Sequence, residues 1–148
     1  MNPAFRQECR YALRAVLLTV PGMPRDPSNP TKLNLAKPNR DFTPRLGVAW
    51  VREGCTPGPE QLKSLPATGG KLRTQGTYFL DVFLPENEGE AASDTLVGNL
   101  RLAFRPSTKL RYNNQSLTVV RFAAANGLNK DGWYHIPITI AWYADDTN

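Results

Sequence analysis

The stretch QGTYFLDVFLPENEGEAASDTLVGNLRLAFRP, Gln75 to Pro106, constrains the fold of this chain more than any other part of it. In its first half Tyr78, Leu80, Val82 and Leu84 share one face, while Thr77, Phe79, Asp81 and Phe83 share the other, the period-two alternation of a pleated strand. One face is apolar throughout and needs a partner layer; the other is only half apolar. Pro85 ends the run, since proline cannot donate to a ladder. Glu86, Glu88 and Glu90 then lead into Ser93 and Asp94, acids being favoured where a helix starts. Ala92, Leu96, Val97, Leu100, Ala103 and Phe104 recur at helical spacing, Arg101 and Arg105 sit near the carboxyl end, and Pro106 stops the helix.

The rest of the chain supplies what that unit packs against. At 148 residues the chain fits one domain, residues 1–148, able to bury roughly two thirds of its unfolded surface without disulfides or metals. Asn2 and Pro3 suit the start of a helix running to about Thr19 (segment 1–20), with Phe5, Cys9, Ala12, Leu13, Val16 and Leu17 as its apolar stripe. Prolines 21, 24, 27, 30, 38 and 44 then break regular structure, and a 21–44 connection of this length reads as an interaction arm. The segment 45–144 carries the sheet and second helix. Arg45 to Arg52 reads as a strand with Leu46, Val48 and Trp50 on one face, antiparallel to the central strand; Gly54 to Pro59 and Pro66 to Gly70 punctuate an irregular segment. Lys109 to Tyr112 and Leu117 to Phe122 form a hairpin through Asn113-Asn114. Asn126 to Gly132 reads as a polar turn. The last strand sets Tyr134, Ile136, Ile138, Ile140 and Trp142 against Trp133, His135, Pro137, Thr139 and Tyr143, with Pro137 pointing to an edge or a bulge, and Asp145 to Asn148 is a short tail. The fold class expected is α+β: a mixed, mainly antiparallel sheet of about four to five strands on two helices, with long proline-rich loops.

Candidate chemistry is sparse. A general base needs a nucleophile within reach and an orienting partner, and His135, the one histidine, has no Ser or Cys motif near it in sequence. One histidine with Cys9 and Cys55 falls short of a tetrahedral zinc site; ENEGE lacks the spacing of a calcium loop; Gly69, Gly70 and Gly76 form no phosphate-binding fingerprint. No enzyme activity, metal or cofactor is expected. Arg6, Glu8, Arg10 and Arg14 interrupt the N-terminal apolar run, so no signal peptide is read and a reducing compartment fits two unpaired cysteines. No stretch approaches the ~20 apolar residues of a membrane span. The net charge of +5, 18 basic against 13 acidic residues, is spread along the chain, so strong DNA affinity is not expected. Aromatic residues on both faces of the last strand exceed what one helix layer covers and point to association.

Four segments carry a family resemblance: PNRDFTPRLGVAWV (Pro38 to Val51), GTYFLDVFLP (Gly76 to Pro85), LAFRPSTKLRYN (Leu102 to Asn113) and GWYHIPITIAWYA (Gly132 to Ala144). In this order they resemble tail terminator proteins of long-tailed bacteriophages, over roughly Asn34 to Asp145. The resemblance implies a structural virion protein, assembled in the host cytoplasm, at the head-proximal end of the tail. As a ring, typically a homohexamer, it would cap the tail tube protein, stop polymerisation, and present a surface to the head–tail connector protein, with DNA only passing through its lumen. It transfers no catalytic residue. The residues best placed for partner or subunit contacts are Arg25, Lys32, Lys37, Arg40 and Arg45 on the arm and Trp133, His135 and Tyr143 on the last strand. A head-completion or connector protein and a basic nucleic-acid-binding module are the rival readings, a nuclease the most distant.

Overall fold

The computed structural model describes residues 2–63 and 70–147. Two helices, α1 (Phe5–Leu17) and α2 (Ala91–Ala103), share one face of a seven-stranded, mostly antiparallel sheet. Its strands are β3 (Leu35–Ala36), β4 (Trp50–Leu62), β5 (Lys71–Pro85), β6 (Lys109–Tyr112), β7 (Gln115–Ala124), β8 (Leu128–Lys130) and β9 (Trp133–Thr147), ordered β3-β4-β5-β9-β7-β6 with β8 also on β9. β1 (Arg25–Asp26) and β2 (Asn29–Leu33) make a separate antiparallel ribbon. The α+β class stands; the sheet has seven strands rather than four to five.

The core lies where the alternation and the helical stripes meet. Tyr78, Leu80 and Val82 of β5 and Ile136, Ile138, Ile140 and Trp142 of β9 pack against Phe5, Cys9, Leu13 and Leu17 of α1, with Leu96 and Leu100 of α2 and Phe104 just beyond it. Each large side chain so buried stabilises by about 1.5–3 kcal/mol. A 13-residue helix is marginal alone in water, so this packing holds α1 in place. Gly76 faces Trp142 across the β5–β9 ladder, and a Cβ there would run into the indole; glycine lets the ring lie flat on the strand.

One polar knot is buried beneath α1. Arg14 pairs with Glu53 of β4 through Nε at 2.8 Å and through Nη2, and the Tyr78 hydroxyl donates to the other carboxylate oxygen at 2.5 Å. Burial first, and the Glu53 carboxylate second, push the Tyr78 phenol well above its usual range, so it remains a donor. Burial likewise raises the Cys9 thiol to about 12 and the Cys55 thiol to about 11.

Several expectations are corrected. Prolines 21–44 do not abolish regular structure: the segment forms β1, β2 and β3, buries Met23, Leu35 and Ala36, and half-buries Leu33 against the core. No strand covers Arg45 to Ala49, because Gly47 at φ 79° closes a turn that leaves Leu46 86% exposed. β4 instead continues through Gly54 to Pro59, with a register shift after Pro57 absorbing the irregular residues. The Pro66 to Gly70 break lies, apart from Gly70, outside the described residues. Asn126 to Gly132 is more than a turn: β8 pairs with β9 through Asp131 and Gly132, both at positive φ, the two-residue hairpin geometry. The tail from Asp145 extends β9 to Thr147. Asn2 is not the cap of α1; Ala4 is, while Asn2 turns back onto the Ala4 N–H and its own N–H binds Asp146.

Pro137 was expected at an edge or a bulge, yet β9 is central. The Pro137 carbonyl accepts from Ala125, just past the end of β7, and β8 begins its pairing only at His135. Amide and carbonyl of one strand residue point the same way, so the missing donor faces this gap between β7 and β8.

Candidate functional site

The helices leave the other face of the sheet uncovered. Alternation sends Trp50 and Arg52 of β4, Thr77, Phe79, Asp81 and Phe83 of β5, and Trp133, His135, Thr139, Ala141 and Tyr143 of β9 to that side. Register then determines what they build. Trp50 lies opposite Phe83 and Phe83 opposite His135, so three rings stack across three strands, at 4.1 Å and 9° for Trp50 on Phe83 and 4.5 Å and 7° for Phe83 on His135. Phe42, from the connection before β4, adds a fourth ring at 5.2 Å from Trp50, and Trp133 meets Trp50 edge-on. Aromatic pairs contribute about 0.5–1.5 kcal/mol each beyond burial, and the Phe42–Trp50 pair fastens the connection to the sheet at that point.

A charged clamp sits beside the stack. Asp81 accepts from Arg52 at 3.1 Å through one oxygen and pairs with His135 Nε2 at 2.9 Å through the other, while the Arg52 guanidinium lies over the Phe83 ring. One carboxylate thus ties β4, β5 and β9 together, and His135 serves the sheet rather than facing outward as an isolated base. At the far end of the face, Arg73 grips Asp145 with two bonds of 2.7 and 2.9 Å and covers the Tyr143 ring at 4.0 Å. That bond to Arg73 holds the Asp145 carboxyl below the usual carboxylate range.

Between these two charged ends the face is open, and Arg121, exposed opposite Ala141, is its one charged residue among the described residues. Phe79 is 41% and Val120 51% exposed, and a groove of ≈ 420 Å³ crosses it past Thr56, Thr77, Val120 and Ala141. The sheet margin is also partly open: β3 pairs with β4 only at Val51 and Arg52, and β6 covers β7 only to Thr118. Pro57 and Pro59 blunt the first of these edges, as natural edge strands do.

Sequence reasoning placed eight residues at contacts, and the structure divides them. Trp133 and His135 join the aromatic stack; Tyr143 lies apart under Arg73. Lys37 and Arg40 line a groove of ≈ 300 Å³ between the arm and β4, with Phe42 and Trp50 among its walls. Lys32 and Lys37 line a second groove, ≈ 440 Å³, between α1 and the β1–β2 ribbon. Arg25 is spent on the Leu18 carbonyl at 2.8 Å, and Arg45 stands exposed in the turn before β4. Trp50, Arg52, Asp81 and Phe83 were missed as site residues; the half-apolar face of the central strand was the signal that held Asp81 and Phe83.

A sequence model of the family described as "Phage tail terminator protein" matches residues 9–142. No curated protein matches in sequence. A solved structure superposes with a TM-score of 0.63 at 15% identity, covering 91% of this chain and 94% of its own. At that identity the likeness is one of fold. No helix among the described residues is long and apolar enough to cross a membrane.

Proposed function

The chain belongs to the phage tail terminator family, a structural protein of the virion tail, and from that premise we propose that it caps the tail tube as a ring and presents the surface on which the head is joined. The observation that supports this most is the helix-free face of the sheet. A seven-stranded sheet with helices on one side alone leaves Phe79, Val120 and the groove that Val120 lines for a partner, and exposed apolar surface framed by charge is the usual anatomy of a contact. A ring also needs a heterologous contact, since a self-complementary patch yields only a dimer. The two margins of this sheet are unlike: a proline-blunted β4 with the basic arm on one side, β7 and β6 on the other.

In this reading the tail tube protein meets the ring on one side and the connector protein on the other, and DNA passes through the lumen without being read. Adding the purified protein to polymerising tail tube protein tests it. Negative-stain images should show tubes that stop growing with a ring at one end; tubes that elongate unchanged, bare at both ends, would overturn the proposal.

A further inference from the structure

We propose that the groove between residues 36–44 and β4 is the receptor for the acidic turn Glu86–Glu90 of the neighbouring copy in the ring. The inference rests on the ring reading above and gives it a specific contact. Four charged residues line the groove: Lys37, Arg40, Arg52 and Glu53. Two are already committed, Arg52 to Asp81 and Glu53 to Arg14 and Tyr78. Lys37 and Arg40 have no acidic partner among the described residues, and the nearby exposed Asp41 and Arg45 offset each other, so the groove keeps two spare positive charges.

The matching surplus lies on the other flank of the same molecule. Glu86, Glu88 and Glu90 have no cationic partner among the described residues, and Glu88 and Glu90 are exposed over a cavity shared with Asn129 and Tyr134. The dipole of α2 accounts for Glu90 at its cap and Asp94 in its first turn. It does not account for Glu86 and Glu88, because the effect fades within that turn.

Placement makes the two surfaces meet. Trp50 pairs with Phe83 and Pro85 pairs with Trp133, so the basic groove and the acidic turn lie at the same end of the sheet. The strand order there is β3-β4-β5-β9-β8, with the groove outside β3 and β4 and the acidic turn against β8. Three to four strand spacings, ~14–19 Å, separate the flanks. Rotation about an axis along the strands carries one flank onto the other at the same level. The contact is between unlike surfaces, so it repeats head to tail and makes a ring when the rotation completes a circle, whereas a two-fold dimer through either flank would set like charges together. Phe42 stacked on Trp50 fixes the groove beforehand, which lowers the ordering cost of docking.

Charge reversal tests this by sedimentation and by ring counting on tube ends. Lys37→Glu/Arg40→Glu and, separately, Glu88→Lys/Glu90→Lys should remain folded with native melting temperatures, the altered side chains being exposed, yet self-associate at least tenfold more weakly. Mixing the two variants in equal amounts should restore rings, because each reversed groove then meets a reversed turn; one chain carrying all four substitutions should assemble as well. Native-like assembly of either variant, or a mixture that fails to recover, overturns the contact while the native ring stands. A native protein that forms rings neither in solution nor on tubes brings down the ring reading and this contact together. Should a double variant lose its fold, Arg40→Gln and Glu88→Gln must each still weaken association, and native association of both rejects the proposal.

Discussion

Arg14→Met should be among the most destabilising single substitutions in this protein that remove no core hydrophobe. The Glu53 side chain is 1% exposed and its two oxygens are held by Arg14 and by the Tyr78 hydroxyl. Methionine fills much of the arginine's volume, so the loss is electrostatic: a buried carboxylate keeps one neutral donor and loses its one cationic partner among the described residues. Breaking one side of a buried pair in this way costs about 3–5 kcal/mol. A domain of this size has roughly 5–15 kcal/mol in all, and its melting temperature moves by about 2–4 °C per kcal/mol. Urea unfolding followed by far-UV circular dichroism should therefore show a midpoint well below native with an unchanged slope, and a melting temperature lower by about 6–20 °C. The companion variant Arg14→Met/Glu53→Leu/Tyr78→Phe removes every polar member of the knot and leaves nothing unpaired, so it should recover to within about 1 kcal/mol of native. Arg14→Met at native stability, or a triple variant no better than the single one, would refute the account of Glu53 as a carboxylate held by a full complement of partners.

Three further outcomes follow from the same packing. Leu100→Asp or Phe104→Asp should abolish soluble folding, since both side chains are wholly buried and an unpaired carboxylate there costs several kcal/mol; soluble, folded protein would show the wrong face of α2 assigned. Stability should fall as pH rises from about 9, because Cys9, Cys55 and Tyr78 all have folded values above their unfolded ones, so their contribution is complete below the unfolded value and is lost on the way up to about 11 and 12 for the two thiols. Cys9→Ala/Cys55→Ala should flatten that decline, and native protein should react slowly with thiol reagents at pH 8; a pH-independent melting temperature between 8 and 10.5 would contradict this. Deleting Asp26 to Leu35 should cost folding and not assembly alone, because it removes β2 and the buried Leu35; a shortened chain with a native melting temperature would return the arm to a purely external role.

What was legible in the sequence was whatever a single periodicity determines. The inner faces of β5 and β9, the stripe of α1, that of α2 from Leu96 onward, and the Asn113 turn of the β6–β7 hairpin each repeat a local signal, and the structure uses them as read, though Ala92 is exposed and Ser93 is buried in its place. The misreadings of the arm, of β4 beyond Gly54 and of Pro137 share one cause, proline. Pro30 lies in the two-stranded ribbon, Pro57 and Pro59 on the open side of β4, and Pro137 where β9 changes neighbour. Proline forbids a strand only where its donor is needed, and which donors are needed depends on neighbours that sequence order does not reveal. The site was harder still. Trp50, Phe83 and His135 are 33 and 52 positions apart in successive steps, and only the register of two ladders turns them into one stack.

The stack also bears on what kind of contact the arm can make. A proline-rich connection read from sequence invites the idea of a tether that orders only on its partner. Here Met23, Leu35 and Ala36 anchor it on both sides of the β1–β2 ribbon, and Phe42 closes the remaining length onto Trp50. Fixing one backbone residue costs about 1–2 kcal/mol, so an arm of some twenty residues ordered only on docking would cancel most of what a modest interface supplies. Anchored in advance, the same arm brings Lys37 and Arg40 to a partner at little further cost. The aromatic face of β4 and β5 therefore acts on assembly indirectly: it holds the basic loop in place, and the loop makes the contact.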